Sequence, residues 1–226
     1  MGAYKNGTST RQVILQACLK LFYEKGYHET SYDDICSAAH VNRGSIYYHF
    51  KEKENIRYEV LWEIHRQCQN IAEKYCSRPE YVFITGSYIL WGKTLSDPKL
   101  RKFEVDYYND YPVYTPNNPV ALYYKICNQN MFSELGDLRQ IKPLSLATVY
   151  GNIYGVLRLV DAEPERFTPD EIFENVIDSS ILLLGLSKEK TEALKERLKL
   201  YVEKVPEEIL AEPLWGKEGQ TAGQPE

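Results

Sequence analysis

The stretch from residue 30 to residue 55, TSYDDICSAAHVNRGSIYYHFKEKEN, constrains the fold more than any other, because it reads as two short helices joined by a tight turn. Ser31 is a good N-cap, and Asp33 and Asp34 put negative charge in the first turn, where the helix dipole favours it. Ile35, Ala38 and Ala39 share one face at spacings of three and four, small enough for another helix to come close. The pattern stops at His40. Val41 then supplies an apolar plug, and Asn42 is suited to cap a second helix running from Arg43 through His49. Ile46 and Phe50, four apart, are expected to face inward. That leaves Arg43, Gly44, Ser45, Tyr47, Tyr48 and His49 available to solvent or a ligand. Gly44 costs about 1 kcal/mol of helix propensity relative to Ala, so something is expected to approach the backbone there. DNA suits this face: Tyr, Ser, His and Lys bond phosphate oxygens, and an arginine at the helix start reaches a guanine edge bidentately.

Thr30 and Ser31 opening the first helix, Ala38-Ala39 before the turn, Gly44, the run Tyr47-Tyr48-His49-Phe50, and Lys53-Glu54 after it form a specific motif. On these residues the segment from about 9 to 56 resembles the tetracycline-repressor (TetR) family of bacterial transcription regulators. The resemblance implies an all-α fold, with an N-terminal three-helix helix-turn-helix DNA-binding domain and a larger helical domain for ligand binding and dimerisation. The boundaries expected are 1–51 for the head, 52–212 for the body and 213–226 for a flexible tail. The residues expected at DNA are Thr30, Ser31, Asn42, Arg43, Gly44, Ser45, Tyr47, Tyr48, His49 and Lys53. His40 departs from the family, which usually has Gly at this turn; His tolerates positive φ better than most residues, so a slightly strained turn is expected.

Upstream, Ile14, Ala17, Cys18, Leu21 and Phe22 mark one face of a supporting helix that Gly26 is placed to end. Three such helices bury little surface alone and must dock on the rest of the chain. Residues 1–57 hold eight Lys and Arg against six Asp and Glu, a net of +2, while the remainder has a net of −7. This mild asymmetry points the N-terminus at nucleic acid.

No run approaches 18 apolar residues, and MGAYKNGTSTR holds no hydrophobic segment of a signal peptide, so a cytoplasmic protein with no membrane partner is expected and the Asn6-Gly7-Thr8 sequon carries no meaning. The five cysteines, at 18, 36, 68, 76 and 127, form no CxxC pair, and the four histidines lack ligand spacing. Reduced thiols, no metal and no cofactor are expected, although Cys68 and Cys76 lie near enough one helix face for a thiol sensor to be conceivable. Nucleophile-base motifs and phosphate loops are absent, which ranks an enzyme last.

Beyond the head, helical spacing predicts a long helix from Glu52 to about Cys76 that links head to body, and a central helix from Pro79 that is apolar nearly all round. Further helices are predicted at about 98–110, 119–134, 141–160, 168–186 and 188–204, with the Pro-rich loop YPVYTPNNP after the first and no strand. Ala147, Gly151 and Gly155 repeat every four residues, a stripe that another helix approaches closely. By resemblance, this helix and the next build a four-helix dimer interface, for which Val176, Ser180 and Leu183 are the partners expected; the alternative is packing inside one subunit. The body is rich in tyrosine, whose apolar face and polar tip suit a cavity for an aromatic or amphipathic molecule. Helical phase offers His65, Tyr88, Trp91, Tyr107, Tyr124, Asn128 and Tyr154 as its lining. The reading is a dimeric repressor that a small-molecule effector releases from operator DNA; the rival is a TetR-like factor or coactivator whose body binds a protein.

Overall fold

The computed structural model describes residues 9–76, 78–111, 143–182 and 187–214, and among them every regular element is a helix. The head is α1 (Thr10–Glu24), α2 (Tyr32–Ala39) and α3 (Arg43–Phe50). The body consists of α4 (Lys53–Ala72), α5 (Pro79–Ser96), α6 (Pro98–Asp110), α7 (Pro143–Ala162), α8 (Pro169–Leu182), α9 (Lys188–Val202) and the short α10 (Glu207–Ala211). The helix expected at 119–134, most of the Pro-rich loop, Cys127 and the sequon lie outside the described residues, as does all of the tail beyond Leu214.

Local chemistry accounts for most helix ends. Ser9 and Gln12 make a reciprocal capping box at α1, and the Ser187 hydroxyl accepts from Lys190 N at α9. Asp97 both ends α5 and caps α6, accepting from the backbone N–H of Lys99 and Leu100, with Pro98 at the first helical position. The Tyr23 hydroxyl donates to the same carboxylate at 2.8 Å, which pins α1 of the head onto this corner of the body.

The expectation of a central apolar helix holds: α5 packs against α4, α6, α8, α9 and α10. Gly86 lets α4 approach, since a Cβ there would lie 3.1 Å from Gln69 Cα. The end of the chain folds back onto α5 as well. Lys93, 2% exposed, donates to the carbonyls of Ile209 (2.7 Å) and Glu212 (2.6 Å), satisfying the C-terminal end of α10 from the interior. One hydrophobic cluster runs without a break from Ile14 in the head to Leu210 in α10. The three head helices therefore share their core with the body, the docking that their small size demands.

Candidate nucleic-acid interface

The turn between α2 and α3 is built by caps on both sides. Ser31 Oγ accepts from Asp34 N at 3.1 Å, and the Asp34 carboxylate accepts from Ser31 N at 2.7 Å and from Lys25 Nζ at 2.6 Å. The hydrogen bond from Lys25, together with the weaker ones from Ser31, holds the Asp34 carboxyl well below the usual carboxylate range. His40 closes α2 in the left-handed region, with φ 52° and ψ 43°. Asn42 then accepts from the backbone N–H of Ser45 at 2.9 Å, opening α3. A Cβ on Gly44 would lie 3.2 Å from Asn42 Oδ1, so glycine keeps this cap uncrowded, while the face around it is open.

Ile46 and Phe50 face inward as their spacing predicts, at 1% and 3% exposure. On the other side Tyr48 is 83% and Tyr47 47% exposed; Arg43 is exposed, and His49 is half-buried with its ring 5.0 Å from that of Tyr48. The structure thus gathers Arg43, Gly44, Ser45, Tyr47, Tyr48 and His49 on one short helix whose buried residues are Ile46 and Phe50.

Two residues expected at DNA are placed differently. Thr30 is 1% exposed, and its hydroxyl donates to Gly26 O at 2.6 Å, which secures the bend after α1. It supports the motif from inside and presents nothing to a groove. Lys53 is half-buried, and its ammonium donates to Tyr27 O and Thr30 O, both at 2.9 Å, above the Tyr27 ring. Burial, then the charge of Arg57, lowers its pKa. Lys53 is primarily a strut between the head loop and α4, with two of its three N–H groups in use.

Sequence reasoning missed Arg57. It is 1% exposed, its guanidinium lies 4.1 Å from the Tyr27 ring centroid and 5.2 Å from that of Tyr107, and it pairs with Asp110 at the end of α6. His28 Nε2 is 3.2 Å from the same carboxylate. Head loop, α4 and α6 therefore meet on one buried cation. The signal was available, because Arg57 precedes Val60, Leu61 and Ile64 in the apolar phase of α4.

Of the seven residues offered as a pocket, the five described ones line none of the three surface grooves. Tyr124 and Asn128 lie outside the described residues. Tyr107 and Tyr154 meet through Tyr108, whose ring stacks 6.3 Å from that of Tyr154, but Tyr88 donates to Asp170 at 2.7 Å and packs edge-on against Phe173. His65 and Trp91 are buried, and burial pushes the His65 pKa down to about 4. Three surface grooves are lined by other side chains: one between α1 and α4, one between α8 and α9, and one of about 460 Å³ where α7 meets α8.

That third groove contains the small-residue stripe. Gly151 and Gly155 are exposed, and among the described residues a Cβ on either would meet nothing within 4 Å. Val176 is a correction: it is 8% exposed and belongs to the core, and the α8 residues lining the groove are Glu171, Ile172 and Asn175. The Ser180 side chain and all of Leu183 lie outside what is described, and Ala147 is half-buried. No thiol sensor is supported, since Cys68 and Cys76 are buried and burial raises the Cys68 thiol to about 12. Among the described residues, no group of His, Cys, Asp and Glu is arranged to hold a metal, and no helix is long and apolar enough to cross a membrane.

A family model described as bacterial regulatory proteins, tetR family, matches residues 14–60, which run from α1 into α4. The chain is 45% identical over 64 residues to the HTH-type transcriptional regulator AcrR of Shigella flexneri, covering 28% of each protein. It is 37% identical over 62 residues to the HTH-type transcriptional repressor DhaR of Mycobacterium sp. (strain GP1), covering 27% of this chain and 31% of DhaR. Each match thus spans less than a third of the relative. Among solved structures, SmeT, the repressor of the Stenotrophomonas maltophilia multidrug efflux pump SmeDEF, aligns over 79% of this chain and 90% of its own at 20% identity, with a TM-score of 0.48. The similarity to the tetR family of bacterial regulatory proteins therefore rests on the helix-turn-helix head, residues 14–60.

Proposed function

We propose that this protein is a dimeric transcriptional repressor that binds operator DNA through α3 and is released by a small aromatic or amphipathic effector held in its body. The observation that carries the DNA reading is the outward face of α3, where Arg43, Tyr47, Tyr48 and His49 stand on a helix anchored by Ile46 and Phe50. Phosphate-bonding hydroxyls with an arginine at the helix start match what a recognition helix needs. DhaR, to which the chain is 37% identical over 62 residues, is named a repressor. The dimer reading rests on the open Gly151 and Gly155 stripe beside a groove.

The effector reading rests on unmet polar groups in the body. Among the described residues, Thr85 Oγ1 and Tyr107 Oη are buried without a hydrogen-bond partner, and a ligand oxygen or nitrogen would satisfy them. The tie from Tyr27 and His28 through Arg57 to Asp110 gives α6 a direct hold on the head, and an effector that favours a different α6 position biases head spacing only by its differential affinity for the two states.

Selection from a random-sequence duplex library tests the proposal. The expected product is a pseudo-palindrome whose half-sites lie about 10 base pairs, or a multiple of that, apart. Binding should weaken steeply with salt. Absence of enrichment at low salt overturns the DNA reading. Operator affinity unmoved by a broad set of aromatic and amphipathic compounds overturns the effector reading and favours a protein partner for the body.

A further inference from the structure

The first residues of α2, α3 and α4 are Tyr32, Arg43 and Lys53, and in the fold the other two meet Tyr32, Arg43 at its ring and Lys53 at its hydroxyl. The Arg43 guanidinium carbon lies 5.1 Å from the ring centroid. The Tyr47 ring lies 5.2 Å away, tilted by 34°. The Tyr32 hydroxyl accepts the backbone N–H of Lys53 at 2.9 Å, which ties the ring to the first turn of α4. Tyr32 is itself half-buried, so its ring is held on several sides.

A guanidinium over an aromatic ring uses its face and keeps its edge free, because its five N–H donors lie in the plane of the group. Base readout needs that edge: two parallel N–H groups aimed at guanine O6 and N7. An unsupported arginine on an exposed helix start samples many rotamers and gives up that freedom on binding. A stacked one has surrendered part of it already.

Resting on the reading of α3 as the recognition helix, we infer that Tyr32 is the positioning residue for base readout, a platform that holds Arg43 edge-outward toward the groove. The ring does this, held by its half-buried place against Tyr47. Sequence patterning alone treats Tyr32 as an ordinary first residue of α2, with nothing to connect it to a position eleven residues later.

The experiment compares wild-type protein with Arg43→Ala, Tyr32→Leu and Tyr32→Phe on the duplex selected by the wild type and on its single base-pair variants. Arg43→Ala should flatten the preference at one base pair in each half-site. Tyr32→Leu should reduce discrimination at that same pair by about 2- to 30-fold, the range a cation–π contact supplies. Tyr32→Phe, which keeps the ring, should retain it. The salt slope should be the same for both Tyr32 variants, since neither loses a charge. If Arg43→Ala flattens the pair and a folded Tyr32→Leu does not, the inference falls and the DNA reading stands. If Arg43→Ala changes nothing, the assignment of α3 fails and takes the inference with it. Should Tyr32→Leu not fold, Tyr32→Met, apolar bulk without a π face, replaces it under the same criteria.

Discussion

His40 holds the turn before α3 at φ 52° and ψ 43°, a conformation that costs an L-residue roughly 1–2 kcal/mol and glycine almost nothing. Glycine adds about 0.5–1 kcal/mol of unfolded-state entropy, so His40→Gly should stabilise the protein by up to about 1 kcal/mol in urea unfolding. Equal or lower stability would mean that His40 gains elsewhere what it loses in the backbone. Lys53 sits at the opposite end of the motif, with its ammonium on the carbonyls of Tyr27 and Thr30. Lys53→Ala should therefore lower the thermal midpoint, by an amount corresponding to roughly 1–3 kcal/mol of charge-assisted hydrogen bonding, as well as weaken DNA binding. Weakened binding with an unchanged melt would return Lys53 to a purely phosphate role. The caps at Ser31 and Asn42 were legible in the sequence because a cap and its target lie three residues apart. Thr30 and Lys53 were not, because their partners are carbonyls exposed by the bend at Gly26, whose φ is 97°, and no spacing rule reports a bend.

At the scale of elements, helical periodicity located α4 to α9 to within a few residues, since each has several turns over which an apolar phase repeats. The short α10, Glu207–Ala211, has too few turns to show a period. Its place depends on Lys93 reaching its carbonyls from α5, a contact between residues more than a hundred positions apart. Phase also separates the faces of α7 better than those of α8. Every fourth residue from Ala147 leads onto the open groove, but on α8 the expected Val176 is core and its neighbour Asn175 faces the groove. The open stripe sharpens the test of the proposed dimer. Gly151→Leu meets nothing among the described residues and removes a helix-interior glycine, so the isolated subunit should melt no lower than wild type. The dimer should dissociate more readily, by roughly 1–3 kcal/mol per overpacked site, in sedimentation across a dilution series. An unaltered dissociation constant would place the subunit contact on another face.

Across the whole molecule, the core carries polar groups that composition did not announce, and two of them set opposing pH dependences. Glu104, 5% exposed, has its carboxyl pushed up by burial to about 7 from an ordinary 4.5. Its hydrogen bonding agrees: the single Thr94 hydroxyl proton faces both Leu90 O at 2.9 Å and Glu104 Oε2 at 2.6 Å, so a neutral Glu104 supplies the second proton. Because the folded pKa is raised, the folded state holds a proton that the unfolded chain releases. This stability is full below about pH 4.5 and lost as pH rises through about 7. His65 runs the other way. Burial lowers it from 6.5 to about 4, so its stability is full above pH 6.5 and lost as pH falls through about 4. Each shift corresponds to roughly 3 kcal/mol, and between pH 4.5 and 6.5 the two slopes cancel. Glu104→Gln keeps a donor toward Thr94 and removes one slope. The variant should be more stable than wild type by roughly 3 kcal/mol at pH 8, with the gap closing toward pH 4.5. Its own stability should rise between pH 4 and 6.5, where the contribution of the wild-type pair is flat. Urea unfolding at a series of pH values measures both. A variant gap that does not change with pH would show that Glu104 is ionised in the folded protein.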